Sequence, residues 1–266
     1  MKKNNNRKIK KQGKITINIV VFLILRFLVI LCMVAQGLHG NWNNVFLCIL
    51  TLILFTLPQV ISNRLNVDLP KTLEIIIYLF IYGSEILGEI QNFYGVFTHW
   101  DTILHTLNGF LCAAVGFSLV DILNREEHKY ISMTPGFVAL VSFCFSMTIG
   151  ILWEFFEFGA DYYLKTDMQK DRFITEINSK EIGNKEGNEK IKIDNINKTV
   201  IYYDNDKIFT IENAYLDIGI IDTMKDLFVN FLGAVIFSIL GYLYIKDRDE
   251  YKFIERFIPI TKKLQE

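Results

Sequence analysis

The sequence predicts an all-α membrane protein with six transmembrane helices, both termini cytoplasmic, and a small β-rich extracytoplasmic insertion. Three observations predict it. Apolar residues make up 51% of the 266 and mean hydropathy is positive. The apolar residues gather in blocks of helix length. Lys and Arg concentrate in alternate short loops. A hydrocarbon core of ~30 Å crossed at ~1.5 Å per residue needs roughly 20 apolar residues. Only helices and closed barrels satisfy their backbone polar groups in lipid, and these blocks lack the ten-residue alternation of barrel strands.

The elements follow in order. Residues 1–15 form a basic arm, in which "MKKNNNRKIKKQGK" carries seven basic residues and no acidic ones. A basic tail can bind nucleic acid, but beside a hydrophobic span it reads as a cytoplasmic anchor. A cleaved signal peptide is the rival. The apolar stretch is too long for one and lacks an A-x-A-like end, and Leu31 before Cys32 spoils a lipoprotein box. Spans are expected at 16–38, 45–62, 70–90, 102–122, 134–158 and 224–245, so residues 16–158 hold helices one to five and 222–246 the sixth. Arg26, inside the first, reads as a side chain snorkelling to the inner face, with an anion or carboxylate partner as the alternative.

Arg64 and Lys71 mark one cytoplasmic loop, Arg125 and Lys129 another, while loops 39–44 and 91–100 have no Lys or Arg. The tail 247–266 is basic again, with Arg248, Lys252, Arg256, Lys262 and Lys263 following Lys246. Such a distribution points to the bacterial plasma membrane, crossed several times with both ends inside. Cys32, Cys48, Cys112 and Cys144 lie within spans without a C-x-x-C pair and read as small packing residues.

Residues 159–221 form one long hydrophilic loop on the outside. "KIKIDN", "KTVIYY" and "KIFTI" suggest a small meander, with a hairpin turned at Asp204 to Asp206. No internal repeat, phosphate-cradling glycine loop or nucleic-acid motif is present.

Placed on this topology, the polar residues of the spans converge on the outer leaflet. Glu85 and Glu89 close span three. Asp101, His105 and Asn108 open span four at i, i+4 and i+7. Glu154, Glu157 and Asp161 close span five at i, i+3 and i+7. Asp222, Asp226 and Asn230 open span six at i, i+4 and i+8. Each set of three shares a helix face. A charge at mid-bilayer costs ~2.5–3.5 kcal/mol or more, so the group calls for compensation even near an interface. Asp101 and Asp222 also suit N-caps, and Asp161 a solvated loop. The candidate metal ligands are Asp101, His105, Glu154, Glu157, Asp222 and Asp226, and the candidate catalytic residues His105, Glu154 and Asp226. Carboxylates with an imidazole suit Mg²⁺, Mn²⁺ or Zn²⁺, although the Glu-x-x-His pairing of di-iron bundles is missing.

At these residues the sequence resembles the YjdF-like bacterial integral membrane proteins. Their pattern is D-x-x-x-H-x-x-x-G, then E-x-x-E, then D-T-x-x-D before a G-A pair. Here it is Asp101, His105 and Gly109; Glu154 and Glu157; and Asp222, Thr223, Asp226, Gly233 and Ala234. A looser likeness to VanZ-like membrane proteins lies in Asp226, Asn230 and Gly233. The loop before Asp222 is longer than in the shorter YjdF-like members, and Asp217 only loosely echoes their "GD". The resemblance implies topology and motif choice, not chemistry.

Three functions fit. One is a membrane-embedded enzyme using a divalent metal on a lipid- or isoprenoid-linked phosphate of the cell envelope. Another is a transporter or ion-binding protein, against which the inner halves of the spans are almost purely apolar. The third is a non-catalytic envelope protein whose cluster locks the helices or docks a partner. The expected partners are the lipid bilayer and such a phosphate, not nucleic acid.

Overall fold

The computed structural model describes residues 16–125, 133–183 and 190–261. The basic arm 1–15, Lys129, Lys262 and Lys263 lie outside the described residues. In chain order the helices are α1 (Ile17–Leu38), α2 (Trp42–Leu54), α3 (Leu57–Leu65), α4 (Lys71–Tyr82), α5 (Phe93–Val96), α6 (Trp100–Arg125), α7 (Pro135–Leu164) and α8 (Ile220–Lys246). Short strands are β1 (Val67–Asp68), β2 (Arg172–Ile174), β3 (Ile177–Ser179), β4 (Ile191–Ile193), β5 (Lys198–Tyr203), β6 (Lys207–Glu212), β7 (Tyr215–Asp217) and β8 (Ile260–Thr261).

Five helical segments among the described residues are long and apolar enough to cross a membrane: Ile17–Leu38, Trp42–Arg64, Trp100–Ile122, Pro135–Leu164 and Ile220–Lys246. The second joins α2 and α3. Pro58 falls in the first turn of α3, where its missing N–H breaks the α-helical ladder that would continue α2. The expected third span, 70–90, is not among the five. It is helical from Lys71, but α4 ends at Tyr82 and the chain continues as a π-helix over Gly83–Ile90. The N–H of Gln91 accordingly reaches back five residues to the carbonyl of Ile86 (3.0 Å).

The chain divides into two compact units, one of Met1–Trp100, Phe117–Pro135 and Leu240–Glu266, the other of Asp101–Gly116 and Gly136–Ile239. In the first, α1 buries Leu25 and Val29 one turn apart while Leu23, Phe27 and Leu31 stand exposed on another face. An apolar stripe left outside a packed core suits lipid better than water. The buried face meets Cys48, Phe55, Tyr78 and Ile81 from the next segments. The ring of Phe22 lies 5.1 Å from that of Tyr78, and Tyr78 meets Phe55 edge-on.

The same unit folds the end of the chain. β8 pairs antiparallel with β1, Thr261 opposite Val67. Ile254 and Ile258 are buried, so the stretch after α8 is packed and not simply a basic tail. Arg248 anchors it: Nη2 lies 2.8 Å from Oδ1 of buried Asp121, and the guanidinium stacks 4.8 Å from the Tyr244 ring centre.

In the second unit, reciprocal glycines bring α6 and α8 into backbone contact. A Cβ on Gly109 would fall 2.1 Å from the Asn230 carbonyl oxygen, and one on Gly233 would fall 2.0 Å from that of Thr106. α7 joins through hydroxyls: Ser142 donates to the Ala113 carbonyl and Ser146 to that of Gly109, each at 2.7 Å. Small residues let backbones approach, and hydroxyls bridge them, as expected of helices packed in lipid.

Among the described residues the insertion between α7 and α8 is β-rich but forms no meander. β2 pairs with β7, β3 with β4, and β5 with β6, all antiparallel. "KIKIDN" therefore turns to β3 instead of "KTVIYY". The hairpin expected at Asp204 to Asp206 does form, with Tyr203 opposite Lys207 and all three turn residues at positive φ. Asn and Asp tolerate that conformation best among residues with a Cβ. The cysteines are free.

Candidate metal centre

Asp101 and His105 lie one turn apart near the start of α6, and Asp226 lies near the start of α8. One ligand atom from each, Asp101, His105 and Asp226, falls within 4.8 Å of the others. Arms of ~2.0–2.2 Å around a tetrahedral ion hold ligand atoms about 3.5 Å apart, so a cation would have to draw this group slightly inward. The group is well buried: the Asp226 side chain is 2% exposed, His105 11% and Asp101 20%.

His105 stands between two carboxylates. Its Nε2 lies 3.5 Å from Oδ1 of Asp101, and its Nδ1 lies 3.8 Å from Oε1 of Glu154 on α7. Both distances exceed a good hydrogen bond. Metal-binding histidines commonly turn the second nitrogen to a carboxylate that orients the ring, a role open to Glu154. Glu154 is 5% exposed, and its Oε2 is buried without a hydrogen-bond partner. Asp101 Oδ2 is likewise buried without a hydrogen bond. Orphaned buried oxygens are uncommon and call for an explanation, a bound ion or water among them.

Two cations border the group. Nζ of Lys225 lies 3.6 Å from Oδ2 of Asp101 and 3.5 Å from Oδ1 of Asp226. Arg172, from β2, places Nη2 2.7 Å from Oδ1 of Asp222, whose Oδ2 accepts the backbone N–H of Lys170. That hydrogen bond to Asp222 holds the Arg172 guanidinium above its ordinary pKa. The insertion is thus tied to the first turn of α8.

The remaining sequence candidates divide clearly. Glu157 is buried and accepts the indole N–H of Trp153, one turn away on α7, at 2.6 Å. Asp222 is taken up by Arg172 and Lys170. It does not stand ahead of α8, which starts at Ile220, and the N–H of Ile221 goes to Asp217 instead. Asp101 likewise falls within the first turn of α6. Asp161 is no free loop residue: it accepts the N–H groups of Met168 and Gln169 and the Thr166 hydroxyl, closing the turn after α7. Asn108 donates to Asn230 across α6 and α8 at 3.1 Å. Glu85 and Glu89 sit on the π-helix of the first unit.

Sequence reasoning passed over Lys225 and Arg172. The first was legible as the one cation of "DTMKD", between Asp222 and Asp226. Arg172 gave no local signal, because its partner lies 50 residues on.

The family described as "Predicted membrane protein (DUF2238)" matches residues 17–247. An uncharacterised protein of Thermotoga maritima is 26% identical over 107 residues, which is 40% of this chain. The match spans about half (53%) of that protein's length. No solved structure matches. Family and spanning helices together describe a multi-pass protein of the lipid bilayer.

Proposed function

We propose, from the premise that the chain belongs to the DUF2238 family of predicted membrane proteins, that it holds a divalent cation on Asp101, His105 and Asp226 and uses it on a lipid- or isoprenoid-linked phosphate. The observation that carries this reading is the buried Asp–His–Asp group, with Oε2 of Glu154 buried beside it without a hydrogen-bond partner. Glu157 and Asp222 have good hydrogen-bond partners and take supporting places. A bound cation would draw together carboxylates that otherwise repel, and would offset the charge of a phosphate that they alone would reject. His105 and Glu154 are the groups placed to move a proton.

In this reading the chain crosses a bacterial plasma membrane six times. The helical stretch 71–90 counts as the third span, both termini are cytoplasmic, and the insertion and the site lie at the outer leaflet. The basic loops of the sequence support that orientation. The resemblance to YjdF-like proteins rests on the same Asp101, His105, Glu154 and Asp226.

A second reading has its own observation. The hydroxyl, amide and glycine contacts joining α6, α7 and α8 would serve a non-catalytic protein whose polar residues lock its helices. Elemental analysis of detergent-purified protein separates the two. About one equivalent of Zn or Mn per chain, lost in folded His105→Ala and Glu154→Ala variants, is the expected result. Metal-free wild type together with variants that unfold more readily would favour the lock.

A further inference from the structure

Lys225 is the group the metal reading leaves unexplained. Its ammonium lies within 3.6 Å of both Asp101 and Asp226, two of the three candidate ligands. Neither contact has the length of a strong charge-assisted hydrogen bond, ~2.7–2.9 Å. The side chain is 33% exposed, so it has a route outward. Across the group, Glu154 keeps an oxygen that is buried and unpartnered although its residue is only 5% exposed. The lysine therefore offsets part of the negative charge and leaves the far side of the site unsatisfied.

A divalent ion and an ammonium cannot both hold these oxygens without strong repulsion. Like charges a few ångströms apart in a partly buried site repel, and a divalent ion repels an ammonium twice as strongly as a monovalent one does. Resting on the metal reading above, we infer that Lys225 is a tethered counter-ion, which a divalent cation displaces from Asp101 and Asp226. The flexible four-carbon stem of lysine suits such an exchange, since it carries the charge away without moving the helix. Once outside, the ammonium stands at the mouth of the site as the partner for an anion brought to the metal.

The test uses the full chain in detergent, stripped with chelator and then titrated with Mn²⁺. Free Mn²⁺ is followed by electron paramagnetic resonance. Lys225→Met should bind Mn²⁺ about tenfold more tightly or better, whereas Lys225→Arg, which keeps a tethered cation, should stay near wild type. On the wild type, amine labelling read at the Lys225 peptide by mass spectrometry should rise as Mn²⁺ is added. Wild-type binding with Lys225→Met no tighter, or with labelling unchanged, would overturn the exchange and leave the metal site standing. No binding by any of the three proteins would overturn both. Should the variants fail to fold, the wild-type labelling decides alone.

Discussion

Two buried aspartates, one in each unit, have been given opposite surroundings. Asp121 faces Arg248 at 2.8 Å, and that arginine is itself held over a tyrosine ring. Asp226 faces Asp101, His105 and Lys225 at looser distances, with an unpartnered glutamate oxygen nearby. Burial is nearly the same, so burial is not what separates them. The first is a short ion pair that pins the segment after α8. The second is a set of carboxylates and an imidazole that the chain has brought together at looser distances. Buried ion pairs of the first kind are expensive to break, because removing one partner strands the other. Like charges gathered in the second way repel one another and cost stability.

The sharpest test of that contrast starts with the frame beneath the second aspartate. Gly233→Ala puts a methyl group 2.0 Å from the Thr106 carbonyl oxygen, so α6 and α8 must separate. The expected loss is about 3 kcal/mol or more, seen as a collapse of thermal stability in detergent. Next comes Asp121→Asn, which weakens the Arg248 contact and should cost about 1–3 kcal/mol. Asp226→Asn should cost less: stability within about 1 kcal/mol of wild type, since a like charge is removed along with the Lys225 contact, while Mn²⁺ binding is lost. Equal destabilisation by the two Asn substitutions, read from paired unfolding curves, would erase the distinction. The smallest effect belongs to Trp153→Phe, which removes the indole donor to Glu157 and should cost roughly 0.5–1.5 kcal/mol, with metal binding little changed.

Much of this was legible in the residues themselves. Asp101 and His105 at i, i+4 had to share a face once α6 was helical, and Asp226 with Asn230 followed the same spacing on α8. The hairpin at Asp204 to Asp206 was readable because Asp and Asn accept positive φ. What escaped was chosen by tertiary contact. β4 pairs with β3 instead of β5, Arg172 crosses the insertion to reach Asp222, and the segment after α8 finds β1, almost two hundred residues earlier. Strand pairing and long side chains leave no periodic trace, so pattern alone cannot select among the partners. Phe55 and Thr56, where α2 gives way to α3, were hidden for another reason: the apolar block continues straight through the break.

The π-helix at Gly83–Ile90 alters the phase of the helix that α4 begins. An α-helix advances about 100° per residue, so positions four apart nearly eclipse. Where the ladder spans five residues instead, as from Gln91 to Ile86, each residue advances by less than that. Glu85 and Glu89, four apart, therefore fall short of a full turn instead of past it; Glu89 is exposed while Glu85 is partly buried. Excising one residue from this stretch would let the ladder tighten to the ordinary repeat and swing the last turn to a new bearing, with no change in which residues it contains.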